Sequence, residues 1–257
     1  MQVIAFRSKL LEDVIAVARK AGEAIMQVYA GQIEIATKDD ASPVTQADQK
    51  AEQVICAALH VLTPDIPVVA EEAFSAGNLW DLADRFWLVD PLDGTREFIN
   101  RNGEFTVNIA LIEGGRPVLG VVYAPALNKL YAGAADVGSF VEEGERREIA
   151  CRKVPADGLT VVSSRSHGDE QALDRLLAGR KVAVRANAGS SLKLCMVAAG
   201  EADLYPRLGR TMEWDIAAGH AIVAAAGGRV TDLAGSELTY SKPGFENPHF
   251  LVWGRQQ

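Results

Sequence analysis

The segment WLVDPLDGTREF sets Asp90 and Asp93 three positions apart around Pro91 and follows them at once with Gly94 and Thr95. Two carboxylates leaving one turn together offer hard oxygen donors of the kind a Mg²⁺ ion takes. Pro91 fixes its own φ, and such a turn aims the Leu92 carbonyl oxygen into the space between the two acids. If Gly94 and Thr95 open a short helix, their N–H groups face a phosphate bound to the same metals. Alone, an Asp-x-x-Asp-Gly turn is usually structural, so the weight rests on what the rest of the chain adds.

It adds two further acidic points. IPVVAEEAF ends a strand in Glu71 and Glu72, just before a loop, and EWDIAAGHAIVAAAGG puts Asp215 at the start of a helix of small apolar residues. An acid pair ordinarily faces water, and an Asp at a helix start is ordinarily an N-cap, a job compatible with metal ligation. The strands ending in Glu71 and Asp90 are expected to open onto one edge of the same sheet, where ligands of α/β folds sit.

The elements that must carry these residues read as follows. Apolar residues at helical spacing predict an amphipathic helix from about Ser8 to Tyr29 and a second from about Thr45 to Val61, stopped by Pro64 and Pro67, with the polar loop TKDDASPVTQAD between them. Strands are expected at 66–70, 86–89, 105–112, 118–124 and 129–133, with Gly114-Gly115 as a hairpin turn. After the charged stretch EEGERREIACRKVP come strands at 159–163, 182–184 and 202–205, and helices near 170–177, 191–199 and 215–226, the last capped by Gly227-Gly228. The pattern divides the chain near 145–155 into an α+β part (1–150) holding most of the acids and an α/β part (151–257) holding Asp215.

Bulk properties narrow the function. The chain has 257 residues, 48% of them hydrophobic, and a formal net charge of -8, so no basic field exists to hold a nucleic-acid polymer. Any anionic substrate must be met locally. Three cysteines without a C-x-x-C pair argue against a disulfide framework and for a reducing cytoplasm. Charges interrupt the N-terminal region, so no signal peptide is expected, and no apolar run suits an integral membrane segment.

Taken together, the motifs resemble the lithium-sensitive metal-dependent phosphatase superfamily of inositol monophosphatases, fructose-1,6-bisphosphatases and 3'(2'),5'-bisphosphate nucleotidases. WLVDPLDGTREF, AEEA, WDIAAGHAIVAAAGG and SPVTQADQKAE match its signatures in order and span most of the chain. The resemblance implies an α/β (α+β) fold, a layered αβαβα sandwich of the sugar-phosphatase type, and a cofactor of two or three Mg²⁺ ions. By the same resemblance Glu71, Asp90 and the Leu92 carbonyl hold one metal and Asp90, Asp93 and Asp215 another, with Glu72 in support. Asp48 and Thr95 become the pair that orients the attacking water, with Lys38 and Asp40 near the mouth. Inhibition by Li⁺ is implied as well.

Within the superfamily, GSSLKLCMVAAGEADLYPRLGRTMEWDIAAGHAI resembles the CysQ-type 3'(2'),5'-bisphosphate nucleotidases. Arg207 stands where inositol monophosphatases carry an acid that binds inositol hydroxyls, and its planar fork suits a second phosphate. Lys193 and the Ser190-Ser191 pair are candidate donors to the same anion, and Ser164 and His167 resemble residues bordering a nucleoside pocket. The implied reaction removes the 3'-phosphate of adenosine 3',5'-bisphosphate, and of its sulfated precursor, in sulfur metabolism. The partner is thus a small phosphorylated nucleotide, and the relatives occur as monomers and homodimers. The rival readings are an inositol-phosphate or fructose-1,6-bisphosphate phosphatase with the same cage, and a non-catalytic nucleotide- or metal-binding protein, disfavoured by the intact acid and threonine set.

Overall fold

A computed structural model describes residues 2–33, 35–37, 43–78, 82–164 and 170–255. The chain opens with helix α1 (Gln2–Tyr29), whose Leu11, Val14, Ala18, Ala21 and Ile25 are fully buried on one stripe. It begins six residues before the expected start, because nothing in 2–7 breaks a helix and Arg7 is fastened to Glu113 (3.0 Å) and to the Ala135 carbonyl (3.2 Å). A short antiparallel ladder, β1 (Ile35–Thr37) with β2 (Pro43–Thr45), replaces the ends of the expected polar loop and delivers the chain to α2 (Gln46–Leu62).

The first sheet follows: β3 (Val68–Ala70), a single-turn helix α3 (Glu71–Ser75), β4 (Arg85–Asp93), a second short helix α4 (Thr95–Ile99), then β5 (Thr106–Glu113), β6 (Arg116–Ala124), β7 (Lys129–Ala134), β8 (Gly138–Glu143) and β9 (Glu145–Glu148). These strands lie side by side in sequence order, and only β3 and β4 run parallel. Gly114 and Gly115 both adopt positive φ (56° and 71°), as a two-residue hairpin between β5 and β6 requires. The charged stretch after residue 141 conceals the β8–β9 hairpin; β9 is exposed throughout, so its charges gave no alternating apolar signal.

The second part holds β10 (Leu159–Ser164), α5 (Glu170–Leu177), β11 (Val182–Ala188), α6 (Leu192–Ala198), β12 (Leu204–Arg207), α7 (Glu213–Ala225), β13 (Arg229–Asp232) and β14 (Phe250–Trp253). Its sheet has the order β11-β10-β12-β14-β13. Alternation along the strands sorts side chains into three cores. Trp87, Val89, Ile109 and Leu111 face α1 and α2; Phe86, Leu88, Ala110 and Ile112 face α6 and α7. Val162 joins that middle core, while Val161 turns to Leu177 on α5. The layers therefore run α, β, α, β, α, with α7 clamped between two sheets. Backbone contact is close there: a Cβ on Gly120 of β6 would lie 2.2 Å from the Ala218 carbonyl oxygen of α7.

Trp87 and Trp214 fill core positions, Trp87 donating its indole N–H to Thr63 (3.0 Å) and Trp214 packing on Phe74 and Phe245. Trp253 is half-buried beneath Arg180, and Trp80 lies outside the described residues. Cys151 and Cys195 are buried and Cys56 half-buried, all as free thiols whose pKa burial pushes up. No helix among the described residues is long and apolar enough to cross a membrane.

Candidate active site

Parallel pairing of β3 and β4 sets Ala70 opposite Val89, so the next residues, Glu71 and Asp90, emerge side by side. The expected strand end at Asp90 is not an end: β4 continues to Asp93, which pairs with Thr106, and Pro91-Leu92 bulge out of the ladder. The bulge keeps both acids on one edge, and the Leu92 N–H donates to Asp90 Oδ1 (3.0 Å). Nor do Glu71 and Glu72 precede a loop. They open α3, and Glu52 of α2 accepts the N–H groups of Glu72 and Ala73 (2.8 and 2.9 Å). That carboxylate caps the turn carrying Glu71, and no pattern in the sequence marked it.

Asp215 arrives from the other side of the molecule on α7. It is not the N-cap: Met212 occupies that position, and Asp215, third in the helix, reaches back to accept the Met212 N–H through Oδ2 (2.9 Å). Oxygens of Glu71, Asp90 and Asp215 thereby come within 4.8 Å of one another. Asp93 lines the same cleft without joining that mutual set, as do Leu92, Gly94 and Thr95. Gly94 caps α4 in a left-handed conformation (φ 88°), and a Cβ there would meet Ser190 Oγ at 2.1 Å.

Thr45 and Asp48 form a capping box at the start of α2. Asp48 Oδ2 accepts the Thr45 N–H and hydroxyl (both 2.7 Å), which leaves Oδ1 to accept from Thr95 Oγ1 at 3.3 Å. The Leu92 carbonyl is a longer alternative for that hydroxyl at 3.5 Å, and the nearer carboxylate is the stronger acceptor. Asp48 and Thr95, paired on sequence grounds, do meet.

Packing this many acids together has an electrostatic cost. Burial, then Glu71, Asp93 and Asp215, raises the Asp90 pKa well above the carboxylate range. Burial, then Asp93 and Glu71, lifts Asp215 to about 8. Asp93 rises to about 6, where burial outweighs the opposing pull of Lys193. Burial also raises Asp48, against its hydrogen bonds from Thr45. Clustered carboxylates that resist ionisation are the signature of a site completed by cations. The donors are all oxygens, with neither histidine nor cysteine lining the cleft among the described residues, so a hard ion such as Mg²⁺ fits them.

The same cleft also carries positive charge. Arg207 is half-buried beside Lys193 and Tyr205; its Nη2 donates to the Arg210 carbonyl (2.8 Å), and its buried Nε has no hydrogen-bond partner among the described residues. Arg210 is exposed and turned to Glu246. Lys193, 5% exposed, donates to the Ser190 and Ala188 carbonyls (2.5 and 3.3 Å), and burial lowers its pKa to about 8 against the pull of Asp93. The two serines differ from expectation. Ser190 Oγ donates toward the Asp93 and Glu104 carbonyls (2.8 and 2.7 Å) and Ser191 Oγ to the Asp215 carbonyl (2.5 Å), so both hydroxyls brace the site's frame. Ser164 ends β10 on the cleft; Lys38, Asp40 and His167 lie outside the described residues.

His220, for which the sequence suggested no partner, is buried against Tyr240 with Nδ1 2.8 Å from the phenol oxygen. It stands away from the cleft.

Comparison with known proteins follows the same geometry. The profile of the inositol monophosphatase family matches residues 7–254. A 3'(2'),5'-bisphosphate nucleotidase CysQ of Salmonella typhimurium is 52% identical over 246 residues, covering 95% of this chain and 99% of its own. The crystal structure of CysQ from Bacteroides thetaiotaomicron superposes with a TM-score of 0.80 at 37% identity, covering 98% of this chain and 99% of that one. An inositol monophosphatase of Thermotoga maritima gives a TM-score of 0.78 at 30% identity over 95% of this chain and 92% of its own. With the acid cage, the threonine and the layered fold all in place, the chain belongs to the inositol monophosphatase family.

Proposed function

We propose that this protein is a Mg²⁺-dependent 3'(2'),5'-bisphosphate nucleotidase that hydrolyses the 3'-phosphate of adenosine 3',5'-bisphosphate to AMP and phosphate. The observation that carries the substrate reading is the position of Arg207: a half-buried guanidinium lining the same cleft as the carboxylates. The planar fork of N–H donors on a guanidinium suits a second phosphate on the substrate. The name carried by the 52%-identical relative supports the same substrate class.

Glu71, Asp90, Asp93, Asp215 and the Leu92 carbonyl would hold two or three Mg²⁺ ions, which when bound neutralise phosphate oxygens and acidify water. The chain's own groups do the rest. Thr95 donates its hydroxyl proton to Asp48 Oδ1, which leaves the Thr95 oxygen lone pairs to accept from an incoming water and aim it at phosphorus. Gly94 and Thr95, at the head of α4, present backbone N–H groups to the phosphate. Ser190 and Ser191 hold the Asp93 and Asp215 segments in place, while Arg207, backed by Lys193, receives the 5'-phosphate, and Ser164 borders the nucleoside. The fixed donors act without reorganising, which is where most electrostatic catalysis comes from.

Phosphate release from adenosine 3',5'-bisphosphate and from inositol 1-phosphate, with and without Mg²⁺, tests the reading in wild type, Asp93→Asn and Arg207→Glu. Mg²⁺-dependent preference for the nucleotide is expected, abolished by Asp93→Asn and reversed or flattened by Arg207→Glu. Preference for inositol 1-phosphate would keep the cage and overturn the assignment of Arg207, and no turnover on either substrate would overturn the enzymatic reading.

A further inference from the structure

Asn108 is fully buried in β5, directly opposite Asp90 in the ladder, while Thr106, opposite Asp93, donates its hydroxyl to Asn108 Oδ1 (3.0 Å). The amide Nδ2 points the other way, 3.0 Å from Ser191 Oγ and 3.4 Å from the Asp215 carbonyl oxygen. That carbonyl can only accept, so the amide orientation is settled by its partners. Ser191 closes the circuit by donating to the same carbonyl at 2.5 Å. One side chain thus ties the strand paired with the β4 acids to the start of α6 and to the first turn of α7.

We propose that Asn108 is a positioning residue for the metal cage: through Ser191 and the Asp215 backbone it fixes α7 at the register that brings the Asp215 carboxylate to Asp90 and Glu71. The Asp215 side chain is already anchored within its own helix by the Met212 N–H, so its place relative to β4 depends on what holds the helix backbone. Apolar packing between α7 and the sheet is non-directional and resists separation more than sliding. The Asn108 amide supplies the directional contact, and supporting contacts of this kind typically change metal affinity by about 10–100-fold.

The inference rests on the cage reading, and direct Mn²⁺ binding to the metal-free protein, followed by electron paramagnetic resonance, separates the two. Asn108→Leu, which keeps the volume and removes the amide, is expected to weaken Mn²⁺ binding about tenfold. Ser191→Ala, a milder change, is expected to weaken it by a smaller factor in the same direction. Leu177→Ala, in the far core beneath α5, serves as a destabilised control and should bind Mn²⁺ as wild type does. If wild type binds no Mn²⁺, the cage reading falls and this inference with it. If wild type binds and both site variants stay within twofold of it, or the control loses as much as they do, Asn108 is a structural residue only and the inference alone is overturned.

Discussion

Asp215 and Asp93 show what a metal-free cage must contend with. Their carboxyls keep protons up to about pH 8 and about pH 6 because burial and neighbouring acids oppose ionisation. A metal ion must displace those protons, so affinity is expected to fall with acid. The sign is fixed by the direction of the shifts: raised pKa values favour the protonated, metal-free protein below them. Half-saturation by Mg²⁺, read from the thermal shift of the folded protein, should tighten from pH 6 to pH 8; a flat profile would mean the cage is not the binding site. At this scale the sequence was informative, because Asp-x-x-Asp-Gly-Thr carries its chemistry in residue type and spacing. Glu52 and Asn108 were invisible, since a lone Glu in a helix and a lone Asn in a strand have no pattern until the fold supplies their partners.

The elements were legible where apolar periodicity was strong and obscured where it was not. Both N-terminal helices and the strands from β5 to β7 could be read from spacing, whereas exposed β9 and short β13 and β14 could not. Asp215 is the instructive case. Its residue type said N-cap, but the helix begins two residues earlier, and the acid makes the return half of a capping box instead. On the same helix, His220 lies buried against Tyr240, and burial depresses its pKa to about 3. A depressed histidine stabilises the fold fully above its unfolded value near 6.5, and that stability is lost as pH falls below it, because the unfolded chain takes up the proton first. At saturating Mg²⁺, the stability difference between wild type and His220→Gln should shrink by about 2 kcal/mol from pH 7 to pH 5. Urea unfolding at the two pH values measures it, and an unchanged difference would refute the burial argument.

At the scale of the whole molecule, the two sheets meet through one middle core that both parts of the chain build. The division near residues 145–155, read from the change of pattern, is for us a proposal about chain organisation rather than about independent folding. Phe86, Leu88, Ala110 and Ile112 lose their cover when α6 and α7 are absent. A fragment ending at residue 150 should therefore fail to give a cooperative unfolding transition, and co-expression with 151–257 should restore one; a fragment that folds alone would show that the first sheet needs no second layer.

The placement of α7 between two sheets has an evolutionary consequence. The helix that supplies Asp215 is gripped on both faces, and the bulged strand that supplies Asp90 and Asp93 is paired to β5 on one side and to the short edge strand β3 on the other. The wall bearing Arg207 and Ser164 instead lies where strands run out into loops. Under the proposed function, mutations there can exchange one leaving alcohol for another while the parts proposed to hold the ions stay under packing constraint. A lineage built on this plan can vary its loops while its core stays fixed.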